Sequence, residues 1–231
     1  MKEKIIIIPA KGNSIGIKKK NLVGFCGKPL LYWSILQAKK NKIGAKVYVS
    51  SESDEILEYS KEMGVHGIKR PKKLARKNSS SESAIIDVCE QIKKKDCDII
   101  FLQATSPLRY PNDIKNAYNF FQKKKLDSLF SAYQSDGFFD IWEKRKKKYF
   151  PITIDYTKRL MRQKFKNKHL QQNGSIYIFK KKILLKYNNR IGGKIGVYPM
   201  KNWQTFELDT VDEIKNMELL FSHNLIKYYK R

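Results

Sequence analysis

Cysteine is scarce in this chain, and so is negative charge. Cys26, Cys89 and Cys97 are odd in number and show no C-x-x-C spacing, so neither a disulfide framework nor a cysteine zinc site is indicated. The three histidines, His66, His169 and His223, lack metal-ligand spacing too. Acidic side chains number 22 against 48 basic ones. No apolar run approaches the roughly 18–20 residues of a membrane span. The opening run, KIIIIPA, is too short for a secretion signal and has no basic leader with a cleavage site. A cytoplasmic protein with no membrane partner is the expectation.

The formal charge of +26 raises the question of nucleic acid. Lysines are spread along the whole chain rather than confined to one helix or tail, and no zinc-finger, RNP or basic-zipper pattern accompanies them. A lysine-rich coding bias accounts for this, and no specific nucleic-acid partner is expected. The field would still draw in small anions and give salt-sensitive, non-specific nucleic-acid binding.

What is present is an alternation of strand and helix patterns. Residues 4–9 form a continuous β-branched run that suits a strand buried on both faces. Further strands are predicted at 46–50, 65–68, 98–102, 128–133 and 174–179. Helices are predicted at 29–40, 53–63, 79–95 and 111–121. With 231 residues and 41% hydrophobic content, this predicts one α/β domain: three layers around a mostly parallel, Rossmann-like sheet. Residues 135–172 break the pattern. They are rich in lysine and aromatics (Phe138, Phe139, Trp142, Tyr149, Phe150, Tyr156). A structureless loop of that length is uncommon in a compact domain. It reads as an inserted arm or lobe that meets a partner, most simply a second copy of the chain.

Two segments carry chemistry. The first strand runs into Ala10–Asn21, where Gly12, Ser14 and Gly16 let backbone approach a ligand and Lys11, Lys18, Lys19 and Lys20 supply charge. Ligands in open α/β sheets bind beyond the carboxyl ends of the strands. A solvated basic loop is the plainer reading. The loop matches neither the dinucleotide fingerprint nor the P-loop. Near the other end, Glu207 and Asp209 are carboxylates at i and i+2. On a strand they share one face, which suits either a solvated edge or a divalent cation such as Mg²⁺.

Five segments in order resemble one family. Pro9–Asn21, Lys69–Ser81, Leu102–Arg109, Arg162-Gln163 with Asn173–Ile178, and Phe206–Asp212 are similar to the motifs of the acylneuraminate cytidylyltransferases, the CMP-sialic acid synthetases. The resemblance runs through nearly the whole chain. It implies a reaction in which CTP and an acidic nine-carbon sugar, a nonulosonic acid, give the CMP-sugar and pyrophosphate with Mg²⁺. The sugar's anomeric hydroxyl attacks the α-phosphorus, and pyrophosphate leaves from the opposite side.

The resemblance also implies roles. Lys11, Gly12, Ser14, Lys20 and Asn21 cradle the triphosphate, with Lys20 and Lys11 stabilising its charge alongside Asp209. Arg70 and Ser81 read the cytosine edge; a turn arginine and a helix-capping serine are their plain alternatives. Gln103, Thr105 and Ser106 face the sugar, while Arg109 either joins them or packs the loop. Arg162, Gln163 and Asn173 belong to the acceptor region, some of them acting across a homodimer. Glu207 and Asp209 hold the metal. The chain departs from the pattern at Lys11 (arginine), Asn13 (glycine), Ile15 (lysine), Ala104 (proline) and Glu207 (aspartate). Rival readings are a cytidylyltransferase for another acid sugar such as Kdo, and a non-catalytic basic protein on the same fold.

Overall fold

The computed structural model describes residues 3–229 apart from 15, 136–140, 154, 159–160, 162–163 and 165–168. Arg162, Gln163, Phe138, Phe139 and Ile15 therefore lie outside the described residues.

β1 (Lys4–Pro9) is followed by a short ribbon of β2 (Gly24–Phe25) and β3 (Lys28–Pro29), then α1 (Leu30–Lys40), β4 (Lys46–Ser51), α2 (Asp54–Glu62) and β5 (His66–Lys69). Next come α3 (Ser81–Gln91), β6 (Asp98–Leu102), α4 (Asp113–Lys123) and β7 (Ser128–Ser135). The inserted stretch carries a hairpin, β8 (Trp142–Arg145) and β9 (Lys148–Pro151). The chain returns through β10 (His169–Lys180), α5 (Lys181–Tyr187), β11 (Ile195–Met200), α6 (Val211–Asn224) and α7 (Ile226–Tyr229).

The main sheet has seven strands in the order β11-β7-β10-β6-β1-β4-β5. Every pair is parallel except the two made by β10. β1 lies inside the sheet between β6 and β4, and alternate isoleucines divide its two faces. Ile6 and Ile8 pack with Leu31, Ile35, Ile56, Ile114 and Phe121 of α1, α2 and α4. Ile5 and Ile7 pack with Ile85, Val88 and Leu184 of α3 and α5. This is the three-layer arrangement predicted from the buried apolar runs. A third cluster seats α6 and α7 on α1 through Trp33, Met217, Phe221 and Tyr229.

Some boundaries differ from the sequence reading. α3 is shorter than predicted at both ends: Ser80 caps its start, its Oγ accepting the Ser83 N–H at 3.1 Å, and the chain leaves the helix after Gln91, with Lys93 at φ +52°. β10 begins five residues before the predicted 174, since it pairs with the extended end of β7 out to His169 and Ser135. The segment carrying Glu207 and Asp209 is not a strand. It leaves a 3₁₀ turn (Asn202–Thr205) and enters α6 with no ladder partner. Its alternation survives without a sheet: Leu208 is fully buried, and its N–H bonds to the Thr105 carbonyl at 2.9 Å.

In the arm, Ile141, Trp142, Tyr149, Ile152 and Tyr156 are all exposed. Among the described residues no helix is long and apolar enough to cross a membrane.

Candidate active site

β1, β4 and β6 run in parallel, so the loops after them meet at one end of the sheet. β10 runs the other way, and Ile176 pairs with Leu102. Asn173 and Gly174 therefore arrive beside the loop that follows β6. A cleft of about 260 Å³ opens there, lined by Lys11, Ser14, Lys20, Asn21, Arg70, Ser81, Gln103 and Thr105. These residues come from three separate stretches that the sequence singled out. Larger surface hollows of about 380 and 510 Å³ lie around residues 38–47 and 64–66 and along α2 and β5. Neither contains a motif residue, and chemistry outweighs size here.

The loop after β1 is held by its neighbours. Asn21 Nδ2 donates to the Lys11 carbonyl at 2.8 Å, and the Gly12 N–H donates to Glu52 Oε1 at 2.8 Å. Gly12 has no room for a side chain, because a Cβ would lie 2.7 Å from that of Ser53. The Gly12 N–H expected to face phosphate is thus taken by Glu52. The Lys11 ammonium donates to the Arg76 and Ser79 carbonyls at 3.0 and 3.4 Å, tying down the stretch between β5 and α3. Burial, together with the Arg70 charge, pulls its pKa below the usual lysine value, while Glu52 opposes the shift.

Lys20 reaches the far end of the chain. Its Nζ meets Asp209 Oδ1 at 2.7 Å. The loop comes so close that a Cβ on Gly16 would lie 2.2 Å from the Asp209 carbonyl oxygen. The Asp209 backbone is pinned by the capping box of α6, where Glu213 Oε2 accepts N–H groups from Asp209 at 2.7 Å and Thr210 at 2.8 Å. Those donors hold the Glu213 carboxyl below its ordinary range.

Arg70 is buried. Its Nε and Nη2 donate to the Ser50 hydroxyl and carbonyl at 3.0 and 2.6 Å. Burial lowers its pKa, while the Glu52 and Asp87 charges raise it. The fork is thus fixed against the end of β4 while the residue lines the cleft. Ser81 lies in the first turn of α3, and the capping role falls to Ser80.

On the other side, Gln103 Nε2 donates to both Glu207 carboxylate oxygens at 3.3 Å. Gly174, at φ +66°, leaves that carboxylate its space: a Cβ there would lie 1.7 Å from Glu207 Oε1. Burial first, and then the Asp209 charge, pushes the Glu207 carboxyl above its ordinary pKa. Such a pair fits a hard cation that takes carboxylates together with phosphate oxygens and water. Among the described residues no third histidine, cysteine or carboxylate joins them, so any ion there would draw its other ligands from substrate and solvent.

Other assignments need correction. Asn173 is buried, with Oδ1 accepting from the Ser131 hydroxyl at 2.6 Å and Nδ2 facing Met200 Sδ and the Gln204 carbonyl. Its amide organises β7, β10 and the 3₁₀ turn, leaving its polar atoms no reach to a sugar. Ser106 is 1% exposed, away from the cleft surface. Arg109 takes the structural alternative. It is fully buried, and burial pushes its pKa down to about 10. It bonds the Gln103 and Ser175 carbonyls at 2.7 Å each, with Gln37 and Ser34 at 3.0 and 3.2 Å. Glu52 was missed by the sequence reading; its one visible signal is a carboxylate just past the end of β4.

The family described as Cytidylyltransferase matches residues 5–230. The chain belongs to the cytidylyltransferase family. Among its relatives is N-acylneuraminate cytidylyltransferase A of Danio rerio, 31% identical over 207 residues, which are 88% of this chain and 47% of that protein. The chain thus spans about half the length of that relative. Post-translational flagellin modification protein B of Campylobacter coli is 28% identical over 233 residues, 95% of each chain. A solved CMP:2-keto-3-deoxy-manno-octonic acid synthetase complexed with CTP shares the fold, with a TM-score of 0.72 at 16% identity, covering 96% of this chain and all of that one. The cytidylyltransferase resemblance drawn from the motifs and the Rossmann-like fold drawn from the strand–helix alternation both hold.

Proposed function

We propose that this chain is a Mg²⁺-dependent cytidylyltransferase that moves CMP from CTP to the anomeric hydroxyl of a nonulosonic acid and releases pyrophosphate, as a cytoplasmic homodimer. One observation carries the reading. The Lys20–Asp209 contact brings the first and last motifs to a single cleft that Arg70, Ser81 and Gln103 also line. The names carried by its relatives, N-acylneuraminate cytidylyltransferase and pseudaminic acid cytidylyltransferase, point to the same substrates.

In this reading Arg70 and Ser81 bind the cytosine edge, with Arg70 held rigid by Ser50. Lys20 turns from Asp209 to the triphosphate and stabilises the charge that develops as the α-phosphorus is attacked. Fixed charge of this kind is the main contribution a protein makes to phosphoryl transfer. Glu207 and Asp209 would hold Mg²⁺, which when bound supplies charge neutralisation at the phosphates. Gln103 orients Glu207 and, with Thr105, faces the acceptor sugar. The pyrophosphate departs over the loop after β1.

The test is pyrophosphate release with CTP, Mg²⁺ and a panel of acid sugars that includes several nonulosonic acids and Kdo. Release with a nonulosonic acid is the expected result. Release with Kdo alone would move the substrate class. Silence with every acid, joined to tight nucleic-acid binding at physiological salt, would favour a non-catalytic basic protein.

A further inference from the structure

One side chain against the wall of the cleft has no part in this reaction scheme. Arg190 lies in the turn between α5 and β11. Its Nε donates to Glu82 Oε1 at 2.8 Å. Its guanidinium carbon lies 4.8 and 4.7 Å from the ring centroids of Phe101 and Tyr177, which are cross-strand neighbours on β6 and β10. Phe101 lines the cleft beside Gln103, and Glu82 directly follows Ser81. Arg190 Nη1 is buried and has no hydrogen-bond partner. A charged donor taken out of water without an acceptor is costly. An acceptor that arrives with substrate would offset that cost.

We infer that Arg190 is a specificity-determining residue for the acceptor sugar, with Nη1 donating to the carbonyl oxygen of an acylamino substituent. The inference rests on the acid-sugar reading above. Glu82 already neutralises the guanidinium, so a strong uncharged acceptor suits Nη1 better than a second carboxylate. Nη1 is covered in the free protein, so the head turns towards the cleft as the sugar enters. Contacts with ring faces permit this, because they are far less directional than hydrogen bonds.

The experiment measures KM for CTP and for two nonulosonic acids that differ only in carrying an acylamino or a hydroxyl group at one carbon. If the wild-type chain uses neither acid, the nonulosonic-acid reading falls and this inference falls with it. Where it uses them, Arg190→Met should raise KM for the acylated acid by about tenfold and leave KM for CTP within about twofold. The preference for the acylated acid should disappear. Glu82→Gln, which removes the ion pair but keeps the fork, should change either KM by no more than about threefold. If Arg190→Met does not fold, Arg190→Lys, which keeps the charge and loses the fork, should lose the preference in the same direction. Equal rises in KM for both substrates, an intact preference in a folded variant, or a Glu82→Gln effect as large as that of Arg190→Met would overturn the inference.

Discussion

Lys20 Nζ and Asp209 Oδ1 are 2.7 Å apart although 189 positions separate them in the chain. The lysine side chain is 13% exposed and the aspartate 63%. A half-exposed pair of this kind adds little to stability. Its value lies in placing one cation and one carboxylate at the same edge of the cleft. Asp209→Asn should keep the fold and lower turnover at least about tenfold, roughly 1.4 kcal/mol of barrier. Unchanged turnover across a Mg²⁺ titration would remove Asp209 from the metal role. Glu207→Asp should be tolerated.

Base choice and phosphate binding should separate. Arg70→Lys keeps the charge but loses the planar fork, and should cut the preference for CTP over UTP by roughly tenfold. Lys20→Ala should slow both nucleotides by a similar factor. Competition assays with the two nucleotides measure this, and the reverse pattern would exchange the roles assigned to the two loops.

The Glu207 carboxyl titrates above its ordinary range because of burial and the neighbouring Asp209 charge. A carboxyl with a raised folded pKa binds its proton more tightly in the folded chain. Its stabilising effect is therefore complete below the unfolded pKa and lost as pH rises through the folded one. At neutral pH the ionised Glu207 is a cost. Glu207→Gln should raise the Tm by about 2 °C at pH 7, with no gain in acid, while turnover falls. Calorimetry at the two pH values checks the sign.

From a fully buried position the Arg109 side chain ties α1, β10 and the loop after β6 together, and the Tyr229 hydroxyl donates to its carbonyl at 2.8 Å. Arg109→Met would strand two backbone carbonyls, and should destabilise the fold by about 3 kcal/mol. Urea denaturation measures the loss. A midpoint close to wild type would show that water replaces the guanidinium.

The arm presents Trp142 and Tyr149 at 45% and 65% exposure. If it is the homodimer contact, sedimentation at micromolar concentration and moderate salt should give the mass of two chains. Trp142→Glu with Tyr149→Glu should reduce it to one. A single-chain mass for the wild type would leave those aromatics facing some other surface.

The central elements were legible because their signals are local. Four isoleucines in a row mark β1, and a cap, an apolar stripe and a stop mark α2. β11 and α5 were passed over. β11 is a largely unburied edge strand containing Gly196 and Pro199, so neither apolar alternation nor β-propensity marks it. α5 is only seven residues long, too short for a helical period to show. α6 went unread although Thr210 and Glu213 spell its capping box. The aromatic excursion was recognised as non-loop, but its hairpin has no buried face to write a pattern.

By itself the sequence determined the family and the three-layer arrangement, because motif residues and apolar periods are properties of short windows. Only the tertiary structure decided which polar residues are free to meet substrate. Asn173 and Arg109 look like binding groups in the sequence, yet each spends its hydrogen bonds inside the protein. Glu52 and Arg190 carry no motif, yet one holds the Gly12 N–H and the other packs on Phe101 of the cleft wall, because strand order puts the ends of β4 and β6 beside β1 and the turn after α5 lies against Phe101. A hydrogen bond reaches about 3 Å, so its partner is chosen by folding and not by spacing along the chain.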